Sequence, residues 1–126
     1  MRSPWLLIGI VLAAASVGIG AFGAHGLEET FKVTGKGDRF ETGVKYQMYH
    51  ALALIAVAIW AQRTTPEASI TWIGVCFAAG VVIFSGSLYI IAVTGITKWG
   101  MVTPIGGVLF LVGWGLWARL VSSLGE

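Results

Sequence analysis

The chain has 126 residues, of which 56% are hydrophobic and 11% are charged, and its net charge is +2. Soluble domains carry about a quarter of their residues as charges, so this composition excludes an ordinary soluble protein. The small net charge leaves no basic surface for nucleic acid, and we expect no nucleic-acid partner. The single cysteine, Cys76, lies within an apolar stretch and is typical of a small buried hydrophobe rather than of a disulfide or a metal ligand.

All Lys, Arg, Asp and Glu residues fall outside four stretches, residues 3–27, 46–62, 68–97 and 99–118. A bilayer core of about 30 Å requires about 20 helical residues, and lipid accepts only helices or closed barrels as spanning structures. These stretches are too long for barrel strands. The sequence therefore predicts an all-α integral membrane protein with the lipid bilayer as its surroundings, folded as a single up-down antiparallel four-helix transmembrane bundle. The predicted spans are residues 5–24, 40–61, 70–94 and 102–120, with an interfacial loop at 25–39.

The first span is too long for the apolar core of a cleaved signal peptide, and we expect it to be retained. Ser16, Gly20 and Ala24 recur at every fourth residue along it. Small residues at this spacing allow another helix to approach closely. We expect this face to pack against a helix of the same chain, and it also permits a homo-oligomer or a membrane-protein partner.

The loop after the first span opens the most highly charged part of the chain. An excess of Lys and Arg marks the cytoplasmic side of a membrane protein. The side of this loop carries five basic residues and the side of the termini carries three, so we expect the loop to be cytoplasmic. The two sets are Lys32, Lys36, Arg39, Lys45 and Lys98, and Arg2, Arg63 and Arg119.

Most polar residues within the spans lie on the side of the first loop. His50 is the most informative, because about 1.5 Å of rise per residue places it about 9 Å deeper than Val44, inside the hydrocarbon. An ionisable group at this depth indicates a functional site by default. The predicted pocket for a ligand or partner consists of His25, Tyr46, Gln47, His50, Ser85, Ser87 and Tyr89. Two alternatives stay open: a pathway for protons or small solutes, and a purely structural cluster that joins the helices.

Two histidines without a carboxylate at the same depth do not make a metal site, which normally has three or four ligands. The sequence identifies no cofactor, and no nucleophile with a base at catalytic spacing. We therefore expect a protein that is not an enzyme. In the fourth span, Gly106, Gly107 and Gly113 are interpreted as positions of close helix packing.

Five segments carry a resemblance to a known family: GAFGAHGL at 20–27, FETGVKYQ at 40–47, HALAL at 50–54, SGSLY at 85–89 and TPIGG at 103–107. Through them the chain resembles domain-of-unknown-function family 423, small bacterial proteins related to the eukaryotic transmembrane protein 256. The resemblance implies a four-span, multi-pass inner-membrane protein, and it brings no activity or catalytic residue with it. Because these segments include the predicted pocket, the resemblance favours a shared site over incidental packing.

The leading hypothesis is thus an uncharacterised, non-enzymatic membrane protein that binds a small ligand or a partner through the polar pocket. The alternatives are a component for transport of small solutes or protons and a structural subunit of a membrane assembly.

Overall fold

The structure, a computed structural model, describes residues 4–64 and 67–125, with the side chains of 4–62 and 70–125. The described elements are helical: α1 (Trp5–Gly26), α2 (Glu28–Thr34), α3 (Gly37–Thr64), α4 (Glu67–Thr94), a 3-10 turn (Thr97–Met101) and α5 (Thr103–Ser123). Four of the α-helices are long and apolar enough to cross a membrane. The prediction of an all-α membrane bundle is confirmed.

The ends of the helices follow from local backbone chemistry. Pro4 precedes α1 and Pro104 lies in the first turn of α5, where the missing N–H of proline breaks no helical hydrogen bond. Gly35 ends α2 in the left-handed conformation, with φ of 68°, and its N–H donates to the Phe31 carbonyl. Gly95 ends α4 in the same conformation, with φ of 75°. Left-handed residues after a helix are usually glycine because they lack the Cβ that would cause strain.

The bundle is built around α3 and α4, which lie side by side. α1 packs against α3, and α5 packs against α4. In the most apolar stretches of α3 and α4, 44% and 50% of the residues are buried, whereas only 17% are buried in those of α1 and of the span that contains α5. α1 and α5 therefore present most of their surface to lipid, and α3 and α4 form the centre.

The apolar core lies between the two central helices. Leu54 and Val57 of α3 meet Ile73 and Phe77 of α4, and Phe110 of α5 completes the cluster. In lipid the surrounding acyl chains are as apolar as these side chains, so the contacts stabilise the bundle through close packing rather than through removal from water. The positions without bulky side chains therefore determine how closely the helices can pack.

The α4 and α5 backbones come close together at Gly106. A Cβ atom at this position would collide with the backbone nitrogen and the Cα of Phe84, whereas one at Gly107 would meet the Phe84 ring at 3.9 Å, an ordinary contact. At Gly113 a Cβ would lie 2.7 Å from the Phe77 ring. Of the three glycines predicted to pack, Gly106 and Gly113 thus lie in tight contacts, and Gly107 does not.

The predicted packing residues of α1 differ in their surroundings. Ser16 is buried against α3, and a Cβ at Gly20 would meet Val44 of α3 at 3.3 Å. Ala24 is exposed. Ser16 and Gly20 therefore pack against α3 of the same chain. Ala24 does not, and its side chain is left uncovered.

Replacing Gly106 with alanine should lower the free energy of unfolding by about 1–3 kcal/mol, because the added methyl group would force the α4 and α5 backbones apart. Thermal unfolding in detergent, followed by circular dichroism, measures the change. Gly107→Ala is the matched control, since it adds the same methyl group at a position where there is room for it. Equal stability of the two variants would contradict the close approach at Gly106.

Candidate functional site

Gln47 connects three helices in the half of the bundle nearest the first loop. It is 3% exposed. Its Nε2 donates to the Leu12 carbonyl of α1 at 2.9 Å, and its Oε1 accepts from the Tyr89 hydroxyl of α4 at 2.6 Å. Each of its two polar ends therefore has a partner on a different neighbouring helix.

Two serines bind adjacent carbonyl oxygens of α3 from opposite sides. Ser16 of α1 donates to the Val44 carbonyl at 2.9 Å, and Ser85 of α4 donates to the Gly43 carbonyl at 2.6 Å. A carbonyl oxygen has two lone pairs, so it can accept these bonds in addition to a helical one. At Gly43 a Cβ would lie 2.7 Å from the Tyr89 ring, which explains why glycine occupies the position. We call Ser16, Gln47, Ser85 and Tyr89 the polar layer.

His50 joins α3 to α5 through an aromatic stack. Its Nδ1 lies 2.8 Å from the Tyr46 carbonyl, which can only accept, so Nδ1 carries the proton. Its Nε2 accepts from Trp114 Nε1 at 3.1 Å. The imidazole ring stacks on Phe110 with centroids 3.6 Å apart and planes 6° apart. Both ring nitrogens are thus engaged within the protein.

The other predicted site residues fall into separate places. Ser87 donates to the Phe84 carbonyl at 2.9 Å and also bonds the Thr103 hydroxyl, so it joins α4 to the start of α5. Tyr46 is partly exposed and packs against Phe84 with ring centroids 4.8 Å apart.

His25 is exposed, whereas His50 is 4% exposed. The structure therefore places the two histidines in different environments. Gln47, Ser85 and Tyr89 come together directly, and His50, with Tyr46, belongs to the neighbouring aromatic stack. Binding by this set of residues stays a prediction.

Two partners of His50, Phe110 and Trp114, were missed by the sequence reasoning. They are four residues apart on α5, the spacing that places two side chains on one helix face. This spacing indicates a shared face of α5, but the sequence alone does not show that this face meets His50.

A groove opens where α1, α2 and α3 meet, on the side of the first loop. It encloses about 610 Å³, which is within the range of about 300–1,000 Å³ typical of small-molecule sites. Its apolar walls include Gly20 and Ala24 of α1, Phe31 of α2, and Phe40 and Val44 of α3. Phe31 and Phe40 contact each other with ring centroids 5.0 Å apart.

Four exposed charged residues also line this groove, and we call them the charged rim. Glu28 and Lys32 lie one turn apart on α2, and Glu41 and Lys45 lie one turn apart on α3. Beyond Lys45, α3 has no charged residue as far as Gln62. The rim therefore marks the level at which α3 passes from the polar interface into hydrocarbon.

The chemistry available at these two places differs. The polar layer and the His50 stack have their polar atoms engaged by other parts of the chain. The groove combines apolar walls with exposed cationic and anionic side chains. Within residues 4–62 and 70–125, no group of three or more His, Cys, Asp or Glu side chains is placed to hold a metal ion.

Fold and site together define a four-span helical membrane protein with a groove at one interface. The model of the protein family of unknown function DUF423 matches residues 19–107, and the chain belongs to this family. The match confirms the resemblance found in the five sequence segments.

Two relatives illustrate how far the similarity extends. The UPF0382 membrane protein YwdK of Bacillus subtilis is 47% identical over 111 residues, which cover 87% of this chain and 89% of that protein. The UPF0382 inner membrane protein YgdD of Escherichia coli K12 is 42% identical over 117 residues, which cover 92% of this chain and 88% of that protein. No solved structure matches the chain.

Replacing Tyr89 with phenylalanine should destabilise the protein by about 1 kcal/mol, because Gln47 Oε1 would lose its donor in a buried setting. In a Gln47→Leu background the same replacement should cost much less. The coupling free energy from this double-mutant cycle should be about 0.5–2 kcal/mol. Unfolding in detergent measures all four forms.

The control for this cycle is Tyr49→Phe, which removes the hydroxyl of a tyrosine on α3 that is 54% exposed. It should change stability little in either background. A coupling near zero between Gln47 and Tyr89 would show that their hydrogen bond does not hold α3 to α4.

Proposed function

We propose that this chain is a non-enzymatic membrane protein that binds a small amphipathic molecule in the groove between α1, α2 and α3. The observation that carries the proposal is the combination of an apolar wall and a charged rim around a volume of about 610 Å³ at the membrane interface. Ligand sites are typically concave and mainly apolar, with a few polar groups that fix orientation.

The polar layer supports this proposal by holding the groove open. The bond from Ser16 to the Val44 carbonyl fixes α1 on α3 one turn from Gly20. At Gly20 α1 stays close to Val44, and one turn further on the small side chain of Ala24 leaves the space beside α2 unfilled. A polar pocket made from the buried residues themselves is less favoured, because their side chains already bond backbone carbonyls or other side chains of the chain.

The geometry of His50 favours binding over proton transfer. A relay histidine needs a nitrogen that can exchange its proton with a neighbour along a path. In this chain Nδ1 faces a helix carbonyl and Nε2 faces an indole N–H, which is a donor only. Ser16 likewise bonds within the chain, which favours an internal role for the α1 face over assembly with another subunit.

The chain is a membrane protein, like the relatives named above, and we propose that the first loop and the groove face the cytoplasm. The support is the distribution of basic residues, since cytoplasmic segments carry an excess of Lys and Arg. The charged rim contributes Lys32 and Lys45 to that excess.

Filling the groove should displace its ligand. Ala24→Leu adds a larger side chain to the α1 wall, and we expect at least a tenfold lower retention of any bound molecule. Native mass spectrometry of the protein, purified in mild detergent from its own membranes, measures the retained species. Ala21→Leu is the matched control, because Ala21 is exposed on the same helix and does not line the groove.

The proposal predicts a bound species in the wild type and in Ala21→Leu that is reduced in Ala24→Leu. An identical pattern in all three proteins would contradict binding in the groove.

Orientation can be measured with cysteines placed on the two sides of the bundle. Val33 on α2 is 86% exposed, and Ser122 is exposed near the opposite end, on α5. In intact cells a membrane-impermeant maleimide should label Ser122→Cys and not Val33→Cys, and both should react after permeabilisation. The native Cys76 is buried, and the unmodified chain serves as the background control. Labelling of Val33→Cys alone in intact cells would reverse the orientation.

A further inference from the structure

The charged rim combines equal numbers of acidic and basic groups around an apolar groove. On each of two helices a glutamate is followed four residues later by a lysine, giving Glu28 and Lys32 on α2 and Glu41 and Lys45 on α3. The four side chains sum to zero net charge. A ligand that matches such a rim carries a negative and a positive group close together.

These charges are available to a ligand. In the part of the chain whose side chains are described, the ion pairs are Lys32 with Glu29 and Arg39 with Asp38. Glu28, Glu41 and Lys45 are in neither pair. The Lys32–Glu29 contact, at 3.3 Å, joins side chains that are 65% and 86% exposed, and such surface pairs contribute little stability. Lys32 can therefore exchange this partner at little cost.

The apolar wall determines what the rest of the ligand must be. Gly20 of α1 and Val44 of α3 lie close together and line the inner end of the groove at the level of Lys45, where α3 enters the hydrocarbon, and Ala24 lies one turn nearer to the first loop. At the other end Phe31 and Phe40 form an aromatic contact. A ligand that reaches from the rim along α1 must therefore have an apolar chain attached to its charged group.

We propose that the groove binds one phospholipid with a zwitterionic amine headgroup, of the phosphatidylethanolamine class, from the leaflet on the side of the first loop. Lys32 and Lys45 bind its phosphate, Glu28 and Glu41 bind its ammonium group, and one acyl chain lies against the small residues of α1. The inference rests on the proposed function and specifies the ligand of the same groove.

Charge complementarity distinguishes this lipid from others. Hydrogen bonds between ionised partners are stronger than neutral ones, and an ammonium group offers three donors to carboxylates. The quaternary ammonium of phosphatidylcholine has no N–H to donate. Phosphatidylglycerol has a phosphate but no cation, so Glu28 and Glu41 would stay unpaired beside a like charge.

The test uses the purified full-length chain, delipidated in detergent and then titrated with defined phosphatidylethanolamine, phosphatidylglycerol or phosphatidylcholine. Native mass spectrometry counts the lipids that remain bound. The wild type should retain phosphatidylethanolamine about tenfold more strongly than either of the other two lipids. Comparable retention of all three would overturn the assignment of the headgroup.

Reversing the rim charges should change this preference in opposite directions. Lys32→Glu combined with Lys45→Glu should lower retention of phosphatidylethanolamine about tenfold, because the phosphate would meet four carboxylates. Glu28→Lys combined with Glu41→Lys should instead raise retention of phosphatidylglycerol above that of phosphatidylethanolamine. If the first variant fails to fold, the second still tests the proposal through a gain of binding.

Lys98→Glu is the charge control, because Lys98 is exposed on the same side of the membrane but does not line the groove. It should keep the wild-type preference. If charge reversal leaves lipid preference unchanged while Ala24→Leu still displaces the ligand, the lipid assignment fails and binding in the groove stands. If Ala24→Leu and Ala21→Leu also behave alike, the proposed function fails as well.

Discussion

The structure depends on the requirement that polar groups inside the hydrocarbon find partners within the protein. Lipid offers no hydrogen bonds, so an unpaired amide or hydroxyl would be costly there. Gln47 meets this requirement by bonding a carbonyl of α1 and a hydroxyl of α4 at once. Ser16 and Ser85 add a bond on each side of α3. Since each bond fixes the distance and rotation of one helix relative to another, the polar layer sets the arrangement of α1, α3 and α4.

The glycines give these hydrogen bonds the short distances they need. At Gly43 the absence of a side chain lets the Tyr89 ring lie directly against α3. The Ser85 hydroxyl, one turn earlier on α4, can then reach the Gly43 carbonyl. Packing and hydrogen bonding thus depend on the same glycine, because a larger residue at Gly43 would move α4 away from both contacts. The polar layer and the charged rim therefore differ in role, because side chains that hold helices together are not free to bind a ligand.

The four apolar spans could be predicted from the sequence because hydrophobic length identifies them. An ionisable group at the depth of His50 is costly in lipid, which favoured a position inside the bundle, and His50 is buried there. The rotation of a helix about its axis could not be predicted in the same way. Ser16 is buried and Ala24 is exposed, because eight residues at 3.6 per turn leave the two about 80° apart around the helix. At the end of α1 it is Gly23 that lies buried against Phe40 of α3. His25 shows the same limit, because depth at the end of a span does not determine which side faces the core.

The groove could not be predicted from the sequence, because its outer wall, α2, is held by a contact between segments that lie far apart in the chain. The Thr34 hydroxyl, at the end of α2, donates to the Ala92 carbonyl of α4 at 2.8 Å. A Cβ atom at Gly95 would lie 3.6 Å from the Thr34 side chain, so the left-handed turn after α4 lies next to the end of α2. At its other end α2 follows α1 after one residue, Leu27. With both ends held, α2 is fixed as a wall beside Gly20 and Ala24, and the groove is a built feature of the fold rather than a gap beneath a free loop.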